Sequence, residues 1–126
     1  MATHLITVKY VVDPVTNKGT VDVNPQLTQA NATDTLDFKK TDSLAGTMRI
    51  TFREKELFST KNPKFSASGE FFNGDGPVTV NSVTGLAGNE SRKTSFLCEL
   101  LDAEGKVLMK STDPGNAGGA IEISNN

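Results

Sequence analysis

Apolar and polar side chains alternate at every second position over much of the chain. In residues 6–12, isoleucine, valine and tyrosine side chains occupy positions 6, 8, 10 and 12. In residues 47–53, methionine, isoleucine and phenylalanine at positions 48, 50 and 52 alternate with threonine and arginine. Successive side chains of a β-strand point to opposite faces of its sheet, so this period of two predicts strands with one buried and one solvated face.

The same reasoning predicts strands along the whole chain. Residues 94–101 are apolar on both faces, which is typical of a central strand. Residues 24–34 and 81–92 are predicted to be loops, and residues 54–58 fit a single helical turn because Pro63 follows too closely for a long helix. The predicted strands are residues 6–12, 21–23, 35–39, 47–53, 78–80, 94–101, 107–110 and 121–123, with a further strand around 65–69.

Turn signals separate these segments. Clusters that contain proline, glycine or asparagine occur at residues 13–19, 24–25, 73–77, 103–106 and 113–115. Many short strands with frequent turns predict a sandwich or barrel. We therefore expect residues 1–126 to form one all-β domain, a two-sheet antiparallel β-sandwich of seven to nine strands with an immunoglobulin-like or cupredoxin-like shape. The absence of tryptophan and of a cysteine pair argues against an antibody-type domain.

Proline dipeptides carry a resemblance to a known family. Asp13-Pro14 ends the first predicted strand and precedes a turn at residues 16–19, and Asn24-Pro25 follows the second strand. A second Asp-Pro, Asp113-Pro114, precedes Gly118-Gly119 and the final strand. In these features the chain resembles the DP-EP family of small, uncharacterised bacterial β proteins, although Asn24 stands where that family's name would lead one to expect glutamate. The resemblance implies a β-sandwich and carries over no activity and no functional residues.

Composition and charge exclude several kinds of partner. With 13 basic and 15 acidic residues the net charge is −2, which gives no electrostatic reason to bind nucleic acid. No stretch approaches the roughly 20 apolar residues of a membrane-spanning helix, and the first residues do not resemble a secretory signal. The single cysteine cannot form an intrachain disulfide, which fits a reducing compartment. We therefore expect a cytoplasmic protein with no nucleic-acid or membrane partner.

Most catalytic and metal chemistries lack the residues that they require. His4 is the only histidine and is expected to be a polar residue near the chain start, and Cys98 is expected to fill the core. One histidine and one cysteine cannot supply a structural zinc or mononuclear copper site. Asp13, Asn17, Asn73 and Asp75 offer oxygen ligands, but ordinary turn chemistry explains them better. We expect no metal and no cofactor, and we expect no enzymatic activity.

Phenylalanine is concentrated in one segment. Five of the seven phenylalanines lie in residues 52–72, interleaved with arginine and lysine. Such a segment can form an exposed aromatic platform that stacks a ligand or partner, or it can bury its rings while the lysines stay solvated. Burial is favoured, because a chain with 36% hydrophobic residues needs these rings in its core. If the surface is functional, the candidate binding residues are Leu57, Phe58, Phe71 and Phe72.

Three kinds of function stay open from the sequence. The first is a non-catalytic interaction or structural module that binds a protein partner or self-associates, through an edge strand or the phenylalanine-rich segment. The second is a module for a small ligand, most plausibly a carbohydrate, with Phe58 or Phe72 as the stacking face. The third and least favoured is a hydrolase that uses carboxylates such as Glu70 and Asp75.

Overall fold

The computed structural model describes residues 2–60, 70–72, 77–111 and 118–125, and for residues 60 and 70–72 it describes the backbone alone. These residues contain eleven β-strands and one 3-10 turn, Lys55–Leu57. The strands are β1 Thr3–Val12, β2 Gly19–Asn24, β3 Leu27–Asn31, β4 Thr35–Lys40, β5 Thr47–Phe52, β6 Phe58–Thr60, β7 Glu70–Phe72, β8 Val78–Val80, β9 Arg92–Leu101, β10 Val107–Lys110 and β11 Gly119–Ser124.

The strands form two sheets that pack face to face. The first sheet has the order β2-β1-β4-β8-β6, and the second has the order β3-β11-β9-β5-β7 with β10 also paired to β9. The prediction of an all-β, two-sheet sandwich is therefore confirmed. Two pairings, β1 with β4 and β3 with β11, are parallel, so both sheets are mixed rather than antiparallel throughout. The strand number exceeds the predicted seven to nine because β3, β6 and β7 were not predicted. The strand predicted around residues 65–69 lies outside the described residues.

Strand β3 was missed by the sequence analysis, which predicted a loop over residues 24–34. The chain passes from the first sheet to the second at Asn24-Pro25, so β2 and β3 belong to different sheets. The inward residues of β3 are Thr28 and Ala30, which are buried although one is polar and the other small. Because these two side chains carry little apolar signal, the alternation that marks the other strands is invisible here.

One cluster of buried side chains fills the space between the sheets. It takes Ile6, Val8 and Tyr10 from β1 and the alternate residues of the facing strands. The alternation therefore predicted the inward face of most strands, but Val12, at the end of β1, is 39% exposed. The other clustered residues are Val21, Val23, Ala30, Leu36, Phe38, Met48, Ile50, Phe52, Leu57, Phe58, Val78, Val80, Val83, Phe96, Cys98, Leu100, Met109, Ile121 and Ile123.

Aromatic rings pack densely at one end of this core. Phe38 meets Phe96 edge-on, with ring centroids 5.1 Å apart, and Phe52 stacks on Phe58 at 4.3 Å. Gly119 of β11 lies directly opposite Phe96 of β9 in the strand pairing. A Cβ atom on Gly119 would lie 2.0 Å from Cζ of Phe96, so glycine is required for the ring to occupy this place.

The long central strand β9 has two partners along one of its edges. Its residues 92–96 pair with β11, and its residues 99–101 pair with β10. At the junction, the Cys98 N–H donates to Oγ of Ser111 and the Ser111 N–H donates to the Cys98 carbonyl, both at 2.9 Å. Ser111 thus satisfies the backbone N–H and C=O of Cys98, which lie between the stretches of β9 that pair with β10 and β11.

A hydrogen bond crosses the core between the two sheets. Tyr10 of β1 is fully buried, and its hydroxyl donates to the backbone carbonyl of Glu99 in β9 at 2.7 Å. Burial, helped by nearby acidic groups, raises the pKa of Tyr10, so the hydroxyl stays a donor. On the outer face of the same strand, the Glu99 carboxylate pairs with Arg49 at 2.8 Å.

Replacing Tyr10 with phenylalanine should lower the free energy of unfolding by about 1–3 kcal/mol, because the ring stays in place while a buried carbonyl loses its partner. Urea unfolding followed by circular dichroism measures this change. Thr7→Val is the matched control, since the Thr7 hydroxyl donates to the Asn24 carbonyl at an exposed site. The control should shift the free energy by less than about 1 kcal/mol. Equal losses in the two variants would contradict a special role for the core-crossing bond.

Candidate functional site

The structure places two of the four predicted binding residues in the core. Leu57 is 8% exposed and Phe58 is 4% exposed, so neither belongs to an exposed aromatic platform. Their burial follows from the single 3-10 turn at Lys55–Leu57, which carries the chain from β5 in one sheet to β6 in the other. The favoured interpretation, that the phenylalanine-rich segment supplies core, is confirmed for Phe52 and Phe58.

The other two candidates are placed only by their backbones. Phe71 and Phe72 lie in β7 and pair in the register with Ile50 and Arg49 of β5, but their side chains lie outside the described residues. Phe65 and Asp75 lie outside them entirely, as does the side chain of Glu70. The hydrolase interpretation and the role of these rings therefore stay predictions.

Turn chemistry explains the oxygen-rich hairpin between β1 and β2. Oδ1 of Asp13 accepts the N–H of Val15 at 2.8 Å, and this bond lowers the pKa of Asp13. Asn17 adopts a left-handed backbone with φ of 59°, which asparagine tolerates well. Asn73 lies outside the described residues. Within the described part of the chain, no group of three or more His, Cys, Asp or Glu side chains is placed to hold a metal ion.

His4 is not a loose terminal residue, which the sequence analysis missed. Its Nε2 lies 2.8 Å from Oδ2 of Asp34, a buried carboxylate in the turn between β3 and β4. The two oxygens of Asp34 also accept the N–H groups of Ala2 and Asn31, each at 2.9 Å. One carboxylate therefore fastens the first residues of β1 to the β3–β4 turn. Only the parallel pairing of β1 with β4 brings these positions together, so the sequence carried no signal for it.

The environment of Asp34 favours its charged form. Burial acts to raise the pKa of Asp34, but hydrogen bonds from His4, Asn31 and Ala2 outweigh it and lower the pKa to about 2. The preceding residue, Thr33, has φ of 74°, an unfavourable conformation for a β-branched residue. The Thr33 N–H donates to the Val80 carbonyl, and the Val80 N–H donates to the Asp34 carbonyl, both at 2.8 Å, which holds the turn in place.

Cys98 is a core residue, as predicted. It is fully buried, and burial, with the nearby Glu99, raises the pKa of its thiol to about 12. A thiol that is neutral and shielded from solvent is a poor nucleophile.

Exposed apolar side chains are concentrated at one end of the sandwich. Among the residues whose side chains the structure describes, seven large hydrophobic residues are exposed, of which Leu5 and Leu27 lie elsewhere. The other five belong to the end of β1 with its following hairpin and to the start of β10: Val11, Val12, Val15, Val107 and Leu108. Val12 and Leu108 line one shared hollow of about 310 Å³, together with Leu44, Ala45 and Met109. We call Val12, Leu44, Ala45, Leu108 and Met109 the end patch.

A β-bulge exposes Leu108. In the pairing of β10 with β9, Val107 lies opposite Leu101 and Met109 lies opposite Leu100, so Leu108 has no opposite residue. A bulge of this kind redirects a side chain out of the regular alternation. Leu108 is 51% exposed. It lines the hollow of about 310 Å³ and a second one of about 390 Å³ formed with Gly46, Thr47 and Asp102.

A close approach of the two sheets forms the floor of the first hollow. Gly19 at the start of β2 packs so tightly on Met109 that a Cβ atom on the glycine would lie 2.6 Å from the Met109 Cγ and Sδ atoms. Because Gly19 has no side chain, β2 and β10 come together and Leu100 and Met109 line the hollow from below. The end patch is therefore a recess beside a protruding leucine.

No protein-family model matches the chain, and no curated protein sequence matches it. Nor does the described part of the chain contain a helix with the length and apolar character needed to cross a membrane.

The pH dependence of folding should reflect Asp34. Its pKa is about 2 in the folded protein, against an ordinary value of 3.8. Its stabilising contribution is therefore present above pH 3.8 and is lost as the pH falls through about 2. Urea unfolding between pH 2 and pH 7 should show stability falling over this window.

Asp34→Asn should unfold at lower urea concentration at pH 7, with a loss of at least about 1 kcal/mol, and its stability should change less between pH 4 and pH 2. The control is Asp37→Asn, because Asp37 is exposed on β4 and its side chain makes no hydrogen bond with the described residues. This control should keep the pH dependence of the unsubstituted protein. An unchanged pH dependence in Asp34→Asn would show that other carboxylates dominate.

Proposed function

We propose that the chain is a non-catalytic interaction module that self-associates through the end patch. The observation that carries this proposal is the position of Leu108 as an exposed apolar side chain between two recesses. Scattered single hydrophobic residues are normal on a protein surface, but contiguous apolar patches mark binding sites. Here five of the seven large hydrophobic residues that are exposed in the described part of the chain occur in two segments, and Val12 and Leu108 of those segments line one hollow.

The shape of the patch supports a second copy of the chain as the occupant. A twofold dimer uses the same surface on both subunits, so that surface must be complementary to itself. The end patch offers a leucine that protrudes and an apolar hollow of about 310 Å³ that has room for a leucine side chain. In a twofold arrangement each Leu108 would enter the hollow of the other copy.

The charges around the patch are compatible with this arrangement. Lys18 and Asp13 lie in the β1–β2 hairpin on one side, and Asp102 and Lys106 lie in the β9–β10 turn on the other. Each side thus carries both signs of charge. A rim of mixed sign allows acids of one copy to meet lysines of the other, whereas a rim of one sign would repel its own copy.

Carbohydrate binding by aromatic stacking remains a second proposal with less support. All five aromatic residues whose side chains are described are at most 7% exposed: Tyr10, Phe38, Phe52, Phe58 and Phe96. Phe58 therefore offers no stacking face. A stacking site would have to use Phe72, whose side chain lies outside the described residues.

Cellular location and family are two further proposals. A reducing compartment such as the cytoplasm is supported by the single cysteine, which is buried in the core. Membership of the DP-EP family is proposed from the proline dipeptides of the sequence alone, such as Asp13-Pro14. Neither proposal bears on the end patch.

Self-association can be tested with matched leucine variants. Leu108→Asp should raise the dimer dissociation constant about a hundredfold or more, because each dimer loses two buried leucines and gains two buried charges. Leu5→Asp is the control, since Leu5 is 53% exposed on β1, against 51% for Leu108. Sedimentation velocity over a concentration series measures the constants, and circular dichroism melting checks that both variants fold.

Two results would contradict the proposal. One is an unsubstituted protein that stays monomeric up to millimolar concentration. The other is an equal effect of Leu5→Asp and Leu108→Asp on the dimer, which would show that the end patch has no special role. Val12→Asp adds a check from the recess side and should also weaken the dimer, because Val12 lines the same hollow as Leu108.

A further inference from the structure

A second surface, separate from the end patch, lies on the outer face of the six-stranded sheet. Where β5 ends, two adjoining hollows share Arg53, Ser95 and Ala120. The first has a volume of about 440 Å³ and the second about 490 Å³. Both volumes lie within the roughly 300–1,000 Å³ that is usual for small-molecule sites. We call the shared surface the outer groove.

Two cations border the outer groove. The Arg53 N–H donates to the Ser95 carbonyl, so Arg53 stands beside Ser95 across the β5–β9 pair. Lys93 lies two residues before Ser95 on β9 and therefore on the same face of the sheet. Diagonal neighbours of this kind are about 7–8 Å apart at the backbone, within reach of one ligand held by long side chains. Arg53 and Lys93 are both exposed.

Neither cation forms a salt bridge with the residues that the structure describes. Two acids lie nearby and keep their negative charge. Glu54 lines the second hollow but pairs with Arg92, and Glu122, which lies opposite Lys93, accepts the Gln29 side-chain amide at 3.0 Å. Two unpaired cations on one face favour an anionic ligand between them.

The groove also carries hydroxyl groups and small side chains. Thr51 and Ser95 line it, and their hydroxyls make no hydrogen bond with the described residues. On the β11 side, Gly119 and Ala120 line the groove, and their lack of large side chains leaves space for a ligand. The lining of the outer groove therefore combines positive charge, hydroxyl groups and small side chains.

We propose that the outer groove binds an acid-bearing saccharide, with Arg53 and Lys93 holding its acidic group and Ser95 and Thr51 bonding its hydroxyls. Charge complementarity selects the acid, since guanidinium and ammonium groups are the strongest partners for carboxylate and sulfate oxygens. The hydroxyl lining selects a polyhydroxylated ligand over an apolar one, because each ring hydroxyl needs a partner when it leaves water. No aromatic stacking is required at this site, and the proposal is independent of dimer formation.

Titration with digalacturonic acid, followed by amide chemical shifts in ¹⁵N-labelled protein, tests the proposal. The shifts should move at Ser95 and Ala120 and stay unchanged at Leu108. Arg53→Gln and Lys93→Gln should each weaken binding about tenfold, because each removes one charge-assisted contact. Lys9→Gln on the outer face of the other sheet is the control and should bind as the unsubstituted protein does.

Further arms identify the acidic group. A sulfated disaccharide that binds more tightly than digalacturonic acid, with the same dependence on Arg53, would assign the site to sulfated sugars within the same proposal. Equal binding of the neutral disaccharide galactobiose would overturn it, since the cations would then be irrelevant. Shifts that are absent at 10-fold ligand excess over millimolar protein, or unaffected by Arg53→Gln, would also overturn it.

Discussion

The fold depends on how the backbone hydrogen bonds of one long strand, β9, are divided between its neighbouring strands. Strand β9 has ten residues, and no single partner on its second edge covers all of them. Strand β11 takes the first half and β10 takes the second, while Ser111 satisfies the backbone of Cys98 between them. The Tyr10 hydroxyl binds the Glu99 carbonyl of the same strand and links it to the opposite sheet.

The exposed end of the molecule follows from the same arrangement. Strand β10 bulges at Leu108 as it pairs with the end of β9, and the bulge turns a leucine outward. The tight contact between Gly19 and Met109 joins the edge strands of the two sheets beside this leucine. The protruding Leu108 side chain and the recess beside it thus both form where β2 and β10 meet at the edge of the sandwich. The end patch, which we propose binds a second copy, is therefore part of the region where the two sheets meet and cover the core.

The two proposed surfaces differ in chemistry because they lie on different parts of the sandwich. The end patch lies where strands stop and the hairpins around β2 and β10 leave apolar side chains without cover. The outer groove lies on a sheet face, where Arg53, Lys93 and Ser95 lie close together. The regular alternation of side chains therefore places the polar residues of the outer groove on the surface. The β-bulge, which interrupts this alternation, places the apolar Leu108 there.

The sequence by itself determined the all-β class, most strands and their inward faces, because alternation acts over neighbouring residues and needs no knowledge of the pairing. It also indicated that Phe52, Phe58 and Cys98 belong to the core. Only the tertiary structure decided the sheet order, the strand β3, the contact of His4 with Asp34 and the exposure of Leu108. The first three depend on which distant segments lie side by side, as His4 and Asp34 do through the parallel pairing of β1 and β4. The exposure of Leu108 depends on a bulge in the β9–β10 pairing. Contacts between residues thirty or more positions apart leave no periodic mark in one sequence.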